Sequence, residues 1–127
     1  MNYKKSHPDQ DMRKKESEKI REKYPDRIPV ICEKSQTSKL PDIDKSKYLV
    51  PNDLTSYHFN YIIRKRIKLP EKESLYFFVN GKYLLKGDTL MAHAYEQKKD
   101  ADGFLYITYT EESTLGAFLE ENNIQLD

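Results

Sequence analysis

One segment with helical spacing stands between two pairs of short β-branched and aromatic runs, and this order constrains the fold of the chain more than any other feature. The helical segment places Phe59, Ile62, Ile63 and Ile67 on one stripe, follows Asn52 and Asp53, either of which can cap it, and ends at Pro70. Before it come Ile28-Pro29-Val30-Ile31-Cys32 and Lys47-Tyr48-Leu49-Val50-Pro51. After it come Leu75-Tyr76-Phe77-Phe78-Val79 and Phe104-Leu105-Tyr106-Ile107-Thr108-Tyr109. Each run has the length and side chains of a strand. The first and last are nearly continuous in apolar residues, as strands covered on both faces are, and the last reads as central. Pro29 requires that its missing N–H not be needed by a ladder. The second run is bounded by a lysine and a proline, residues that keep an exposed sheet edge from pairing indiscriminately.

The remaining punctuation completes the order. Asn80-Gly81 supplies a turn after the third strand, and Thr89 to Gln97 forms a brief helix with Leu90, Ala94 and His93 inward. Residues 1–26 are highly charged. Asp9 or Asp11 can cap a helix there, with Met12, Ile20 and Tyr24 near one stripe and Pro25 as its stop. With 127 residues, 34% of them charged and 37% hydrophobic, the chain has room for one domain with a compact core. Helix, two strands, crossover helix, strand, short helix and strand define an α+β fold. The expectation is a ubiquitin-like β-grasp roll over residues 27–110, with an N-terminal helical extension over residues 1–26.

Several functions are disfavoured by what is present. No apolar run approaches the ~18 residues of a membrane helix, and the first ten residues lack a signal-peptide core, so a cytoplasmic protein is expected. The single cysteine, Cys32, sits inside an apolar run and reads as a small buried hydrophobe rather than a nucleophile. His7, His58 and His93 are isolated, and no nucleophile elbow, HExxH, P-loop or GxGxxG pattern occurs. No enzyme activity, metal or cofactor is expected. Residues 1–70 carry a net charge of +7 and residues 71–127 a net charge of −6. The basic half is diluted by Glu16, Glu18, Glu22 and Asp26, so nucleic acid is not an expected partner.

Several longer motifs follow one another along the chain. They are Lys19-Ile20-Arg21-Glu22-Lys23-Tyr24-Pro25-Asp26-Arg27-Ile28-Pro29-Val30-Ile31, then Lys47-Tyr48-Leu49-Val50-Pro51 with Asp53-Leu54, then Phe59 with Ile62-Ile63-Arg64-Lys65-Arg66-Ile67. Phe77-Phe78-Val79-Asn80, Asp102-Gly103-Phe104-Leu105-Tyr106, Glu112-Ser113 and Gly116 follow. In this order they resemble the autophagy-related ubiquitin-like modifiers of the GABARAP and yeast autophagy-modifier type. The departures are specific. Lys82-Tyr83-Leu84-Leu85-Lys86-Gly87 lacks the family's proline pair, Leu115 replaces an aromatic, and eleven residues follow Gly116.

The resemblance implies a modifier cleaved between Gly116 and Ala117 by a cysteine protease. Activating and conjugating enzymes of autophagy would then join it to phosphatidylethanolamine on autophagosomal membranes. Residues 111–116 would be the conjugation tail and 117–127 a removable propeptide. Localisation would be cytoplasmic, then autophagosomal after lipidation, then vacuolar or lysosomal. The resemblance also implies cargo receptors that dock an aromatic-x-x-aliphatic peptide on the edge strand. The aromatic pocket would be Glu16, Ile20, Pro29, Lys47, Leu49 and Phe104. The aliphatic pocket would be Tyr48, Val50, Pro51, Leu54, Phe59, Ile62 and Ile63. Arg27, Lys45, Lys47 and Arg66 would meet acidic ligand residues. Read from the residues alone, Val30, Ile63 and Ile67 are core, whereas Leu49 beside Lys47 on a short edge is a pocket residue. An unconjugated ubiquitin-fold adaptor for trafficking or cytoskeletal partners, using the same groove, is the alternative. A monomer is expected in either case.

Overall fold

The structure is a computed structural model and describes residues 2–111. Its elements in chain order are helices α1 (Asn2–Ser6) and α2 (Gln10–Lys23), strands β1 (Arg27–Lys34) and β2 (Lys47–Pro51), helix α3 (Ser56–Arg66), strands β3 (Tyr76–Val79) and β4 (Tyr83–Leu84), helix α4 (Met91–Lys98) and strand β5 (Leu105–Thr110). The sheet runs β2-β1-β5-β3-β4, with β1 and β5 parallel and the other neighbours antiparallel. The two continuous apolar runs thus become the inner strands β1 and β5.

Helices cover both faces of those strands, which is why alternation disappears there. On one face Ile28, Val30, Cys32, Leu105, Ile107 and Tyr109 pack with Phe59 and Ile63 of α3, with Ile67 that follows it, and with Met91 and Ala94 of α4. On the other face Ile31, Phe104 and Tyr106 pack with Tyr3 of α1 and Ile20 of α2. Cys32 is fully buried, and burial raises its thiol pKa, as expected of a packing residue.

The caps follow side-chain chemistry. Asp9 accepts from the Asp11 and Met12 N–H groups at 3.0 and 3.3 Å and starts α2, which ends before Pro25. Asn52 and Asp53 do not cap α3. They lie in a turn closed by Leu54 N–H donating to the Pro51 carbonyl, and Thr55 is the cap, accepting from His58 N–H. Asn80 and Gly81 both have positive φ, 54° and 70°, the geometry of a primed hairpin turn between β3 and β4. Strand β4, two residues long with both side chains exposed, is too short for the sequence pattern to predict.

Two expected helical stripes differ from the observed ones. In α2, Met12 and Tyr24 are exposed, and Arg13 and Ser17 are buried instead. The reason is an ion pair: Arg13 Nε donates to Asp102 Oδ2 at 2.8 Å, and Ser17 Oγ donates to the Asp102 carbonyl. The guanidinium tolerates burial because its charge is paired with Asp102 and it also donates to the His7 carbonyl. In α4 the inward residues are Met91, Ala94 and Tyr95, whereas Leu90 and His93 are exposed. Leu90 precedes the helix and bridges Thr55, which rotates it out of the stripe.

Candidate peptide-binding groove at the sheet edge

Among the described residues strand β2 has a neighbour on one side only, and its hydrogen-bond parity decides what the open side offers. Cys32 N–H donates to the Ser46 carbonyl and Asn52 N–H to the Asp26 carbonyl. With the register Ile28↔Val50 and Val30↔Tyr48, the bonded pairs are therefore the ones carrying Tyr48 and Val50. The opposed pairs Pro29↔Leu49 and Ile31↔Lys47 exchange no bonds across the ladder, which also accommodates Pro29. Main-chain groups of Lys47 and Leu49 point to the outer edge, where an extended peptide could add as a strand. Arg27 Nη1 already donates to the Leu49 carbonyl at 3.2 Å.

Side chains alternate about this edge, with Tyr48 and Val50 buried and Lys47, Leu49 and Pro51 partly exposed. On the α2 side, Lys47 is hydrogen-bonded to Glu16, Leu49 lies opposite Pro29, and Ile20 packs on the cluster containing Phe104. Pro29 and Phe104 are buried, so they form a floor, and Glu16, Ile20, Lys47 and Leu49 form the accessible wall. On the α3 side, Tyr48, Val50, Phe59 and Ile63 belong to the core, and the rings of Tyr48 and Phe59 meet edge-on at 6.0 Å. The accessible apolar surface there comes from Pro51, Leu54 and Ile62, the last 40% exposed.

The basic rim is partly occupied within the chain. Arg66 Nε donates to Asp44 Oδ1 at 2.8 Å, a bond that holds the Asp44 carboxyl below its ordinary pKa. Lys45 Nζ lies 5.3 Å from the centre of the Tyr48 ring, and the Tyr48 hydroxyl donates to the Lys45 carbonyl at 2.7 Å. Burial pushes that hydroxyl's pKa up to about 12. Glu16 is pulled in two directions: burial raises its pKa, while bonds from Lys47 and Tyr3 outweigh burial and lower it.

Tyr3 was not identified by sequence reasoning. Its ring is buried against Phe104, with centroids 5.6 Å apart, and its hydroxyl donates to Glu16 Oε2 at 2.9 Å. An isolated aromatic in a charged stretch was the available signal. Gly116 and Ala117 lie outside the described residues. Among the described residues no cluster of His, Cys, Asp and Glu could hold a metal ion, and no helix is long and apolar enough to cross a membrane.

A mixed five-stranded sheet with a crossover helix, extended by two N-terminal helices and with β2 at its edge, defines a ubiquitin-like protein. Its family is set by comparison with known proteins: the model described as "Autophagy protein Atg8 ubiquitin like" matches residues 12–116. The chain belongs to that family and is a ubiquitin-like modifier of autophagy. It is 57% identical over 109 residues to Autophagy-related protein 8e of Arabidopsis thaliana, covering 86% of this chain and 88% of that one. It is 55% identical over 104 residues to Autophagy-related protein 8 of Mycosarcoma maydis, covering 82% and 87%. The crystal structure of Trypanosoma brucei ATG8 matches with a TM-score of 0.82 at 40% identity, covering 87% of this chain and 93% of that one.

Proposed function

We propose that the chain is cleaved between Gly116 and Ala117 and conjugated through Gly116 to phosphatidylethanolamine, and that its β2 edge then recruits cargo receptors and adaptors. The observation that carries the reading is where the family match ends: at Gly116, eleven residues short of the last residue given. A glycine lacks the Cβ that would obstruct passage of the main chain through a narrow active-site channel. The agents would be a cysteine protease and the activating and conjugating enzymes of the autophagy pathway. The chain itself acts as a modifier and not an enzyme. Two acyl chains suffice to anchor a protein stably, so lipidation would move it from cytoplasm to the autophagosome and later to the vacuole or lysosome.

Recognition would use an aromatic side chain against Ile20, Leu49 and the Phe104 floor, and an aliphatic one against Pro51, Leu54 and Ile62. Arg27, Lys45, Lys47 and Arg66 would attract acidic neighbours. Two anchors at ~1.5–3 kcal/mol each and strand hydrogen bonds at ~1 kcal/mol each offset the cost of association and give affinities near micromolar. Many copies on one membrane would raise this by avidity. The chain is proposed to act as a monomer.

The test is incubation with cell lysate and phosphatidylethanolamine membranes, read by intact mass and gel mobility. Loss of eleven residues followed by a lipid-dependent mobility shift, both abolished in Gly116→Ala, is the expected result. A chain that retains Ala117–Asp127 and never shifts is instead the unconjugated adaptor, a reading that rests on Leu115 and the eleven-residue extension.

A further inference from the structure

Glu16 stands between two donors. Its Oε1 is bonded to Lys47 and its Oε2 accepts from the Tyr3 hydroxyl at 2.9 Å. Tyr3 belongs to α1, outside the groove, yet its hydroxyl is held firmly in place. Its ring lies 5.6 Å from Phe104 and 6.4 Å from Tyr106, and stacks on His7 at 4.2 Å. Its N–H donates to Glu33 Oε1 at 3.3 Å, and the Asn2 N–H donates to Glu33 Oε2 at 3.1 Å. Lys47 Nζ sits 5.8 Å from the centre of the same ring. One aromatic side chain therefore touches both members of the ion pair at the mouth of the groove.

We propose that Tyr3 is a positioning residue that sets the charge the groove presents, keeping Lys47 available to acidic residues of a bound peptide. The proposal rests on the groove reading above and assigns a specificity role to α1. An ammonium has three donors, of which Glu16 takes one. A hydroxyl on Oε2 spreads the carboxylate's charge and turns that oxygen toward α1, leaving the other Lys47 donors for a ligand. Without the hydroxyl, Oε2 either takes a second Lys47 donor or faces the groove as a bare negative charge. Both outcomes penalise an acidic ligand and leave a neutral one nearly unaffected. Phe at this position would keep the packing on Phe104 and lose the gate.

The test uses the full chain and two aromatic-x-x-aliphatic peptides, one with acidic and one with neutral flanking residues, with the ratio of their dissociation constants as readout. The wild type is expected to prefer the acidic peptide. Tyr3→Phe should reduce that preference by roughly two- to fivefold, the size of a partly exposed charge effect. Glu16→Gln should raise it, and Tyr3→Phe should have no effect on the ratio in a Glu16→Gln background. A folded Tyr3→Phe protein with the wild-type ratio overturns the proposal, as does an equal loss in the Glu16→Gln background. If Tyr3→Phe fails to fold, an unchanged ratio in Glu16→Gln overturns it and a raised one supports it. Failure of the wild type to bind either peptide overturns the groove reading, and this proposal with it.

Discussion

Arg13 and Asp102, 89 positions apart in sequence, meet at 2.8 Å beneath α2, where both side chains are buried. Asp102 Oδ1 also accepts from Phe104 N–H at 2.9 Å, and its Oδ2 accepts from the Tyr106 hydroxyl. One carboxylate thus fixes α2 to the start of β5 and aligns Phe104, the floor of the candidate groove. Replacing Asp102 by Ala leaves a buried guanidinium without its partner and two further donors unmet. Such losses cost about 3–5 kcal/mol, to be read from the urea midpoint. A change below about 1 kcal/mol would mean that the network does not hold α2 in place.

Gly103 occupies a position that excludes a side chain on two grounds. Its φ is +87°, and a Cβ there would lie 2.3 Å from Ser17 Oγ and 3.1 Å from Ser17 Cβ. Gly103→Ala is expected to lower stability by more than about 1 kcal/mol. Ser17→Ala removes the hydroxyl together with its own bond to the Asp102 carbonyl, so the comparison is a double-mutant cycle: in a Ser17→Ala background Gly103→Ala should cost less than in the wild type, yet more than nothing, because the contact with Cβ and the backbone strain remain. An equal cost in both backgrounds, or none in the Ser17→Ala background, would contradict this division.

Acid should release α1 before it unfolds the sheet. Burial raises the pKa of Glu16 and of Asp100, and the bonds from Lys47 and Tyr3 to Glu16 and from Lys4 to Asp100 bring both below their ordinary values of 4.5 and 3.8. A carboxyl whose folded pKa is depressed contributes stability that is complete above its unfolded value and disappears as pH falls through the folded one. Amide exchange of residues 2–6 should therefore accelerate as pH drops below about 4, ahead of exchange in β5 and relative to the rate expected from pH alone. Loss of protection in both segments at one pH would show that these bonds do not govern docking.

Salt should separate the two kinds of ligand. Arg27 and Lys47 are partly exposed, so each contributes a screened attraction of a few tenths to about 1 kcal/mol. Raising ionic strength should weaken binding of an acid-flanked peptide more than that of a neutral one. Equal salt slopes would remove the rim from the account.

The chain order of β1, β2, β3 and β5 and the exposed edge at β2 were legible in the sequence because the signals are local: Lys47 and Pro51 bound a short run, and the β1 and β5 runs are continuously apolar. What escaped depends on distant partners. Arg13 is buried only because Asp102 waits across the interface, and Leu90 is exposed because Thr55 bridges it. No pattern within α2 or α4 encodes either fact. Leu49 was legible as a groove residue from its place beside Lys47 on a short edge, the other candidate pocket residues only through the family motifs, and the structure divides them. Tyr48, Val50, Phe59 and Ile63 are core that shapes the groove from behind, while Leu49, Pro51, Leu54 and Ile62 are accessible to a ligand. Tyr3 stayed hidden because five residues of helix α1 carry too little periodicity to reveal a buried side.

Titration calorimetry of an aromatic-x-x-aliphatic peptide against wild type and a Leu49→Ala, Ile62→Ala double variant tests the edge-strand groove most directly. Both side chains are accessible, unlike Tyr48, so the double variant should melt close to wild type. Wild type is expected to bind near micromolar, and removing one contact on each side of the edge should weaken binding at least about tenfold. A folded double variant that binds the peptide as tightly as wild type would contradict the assignment of the groove.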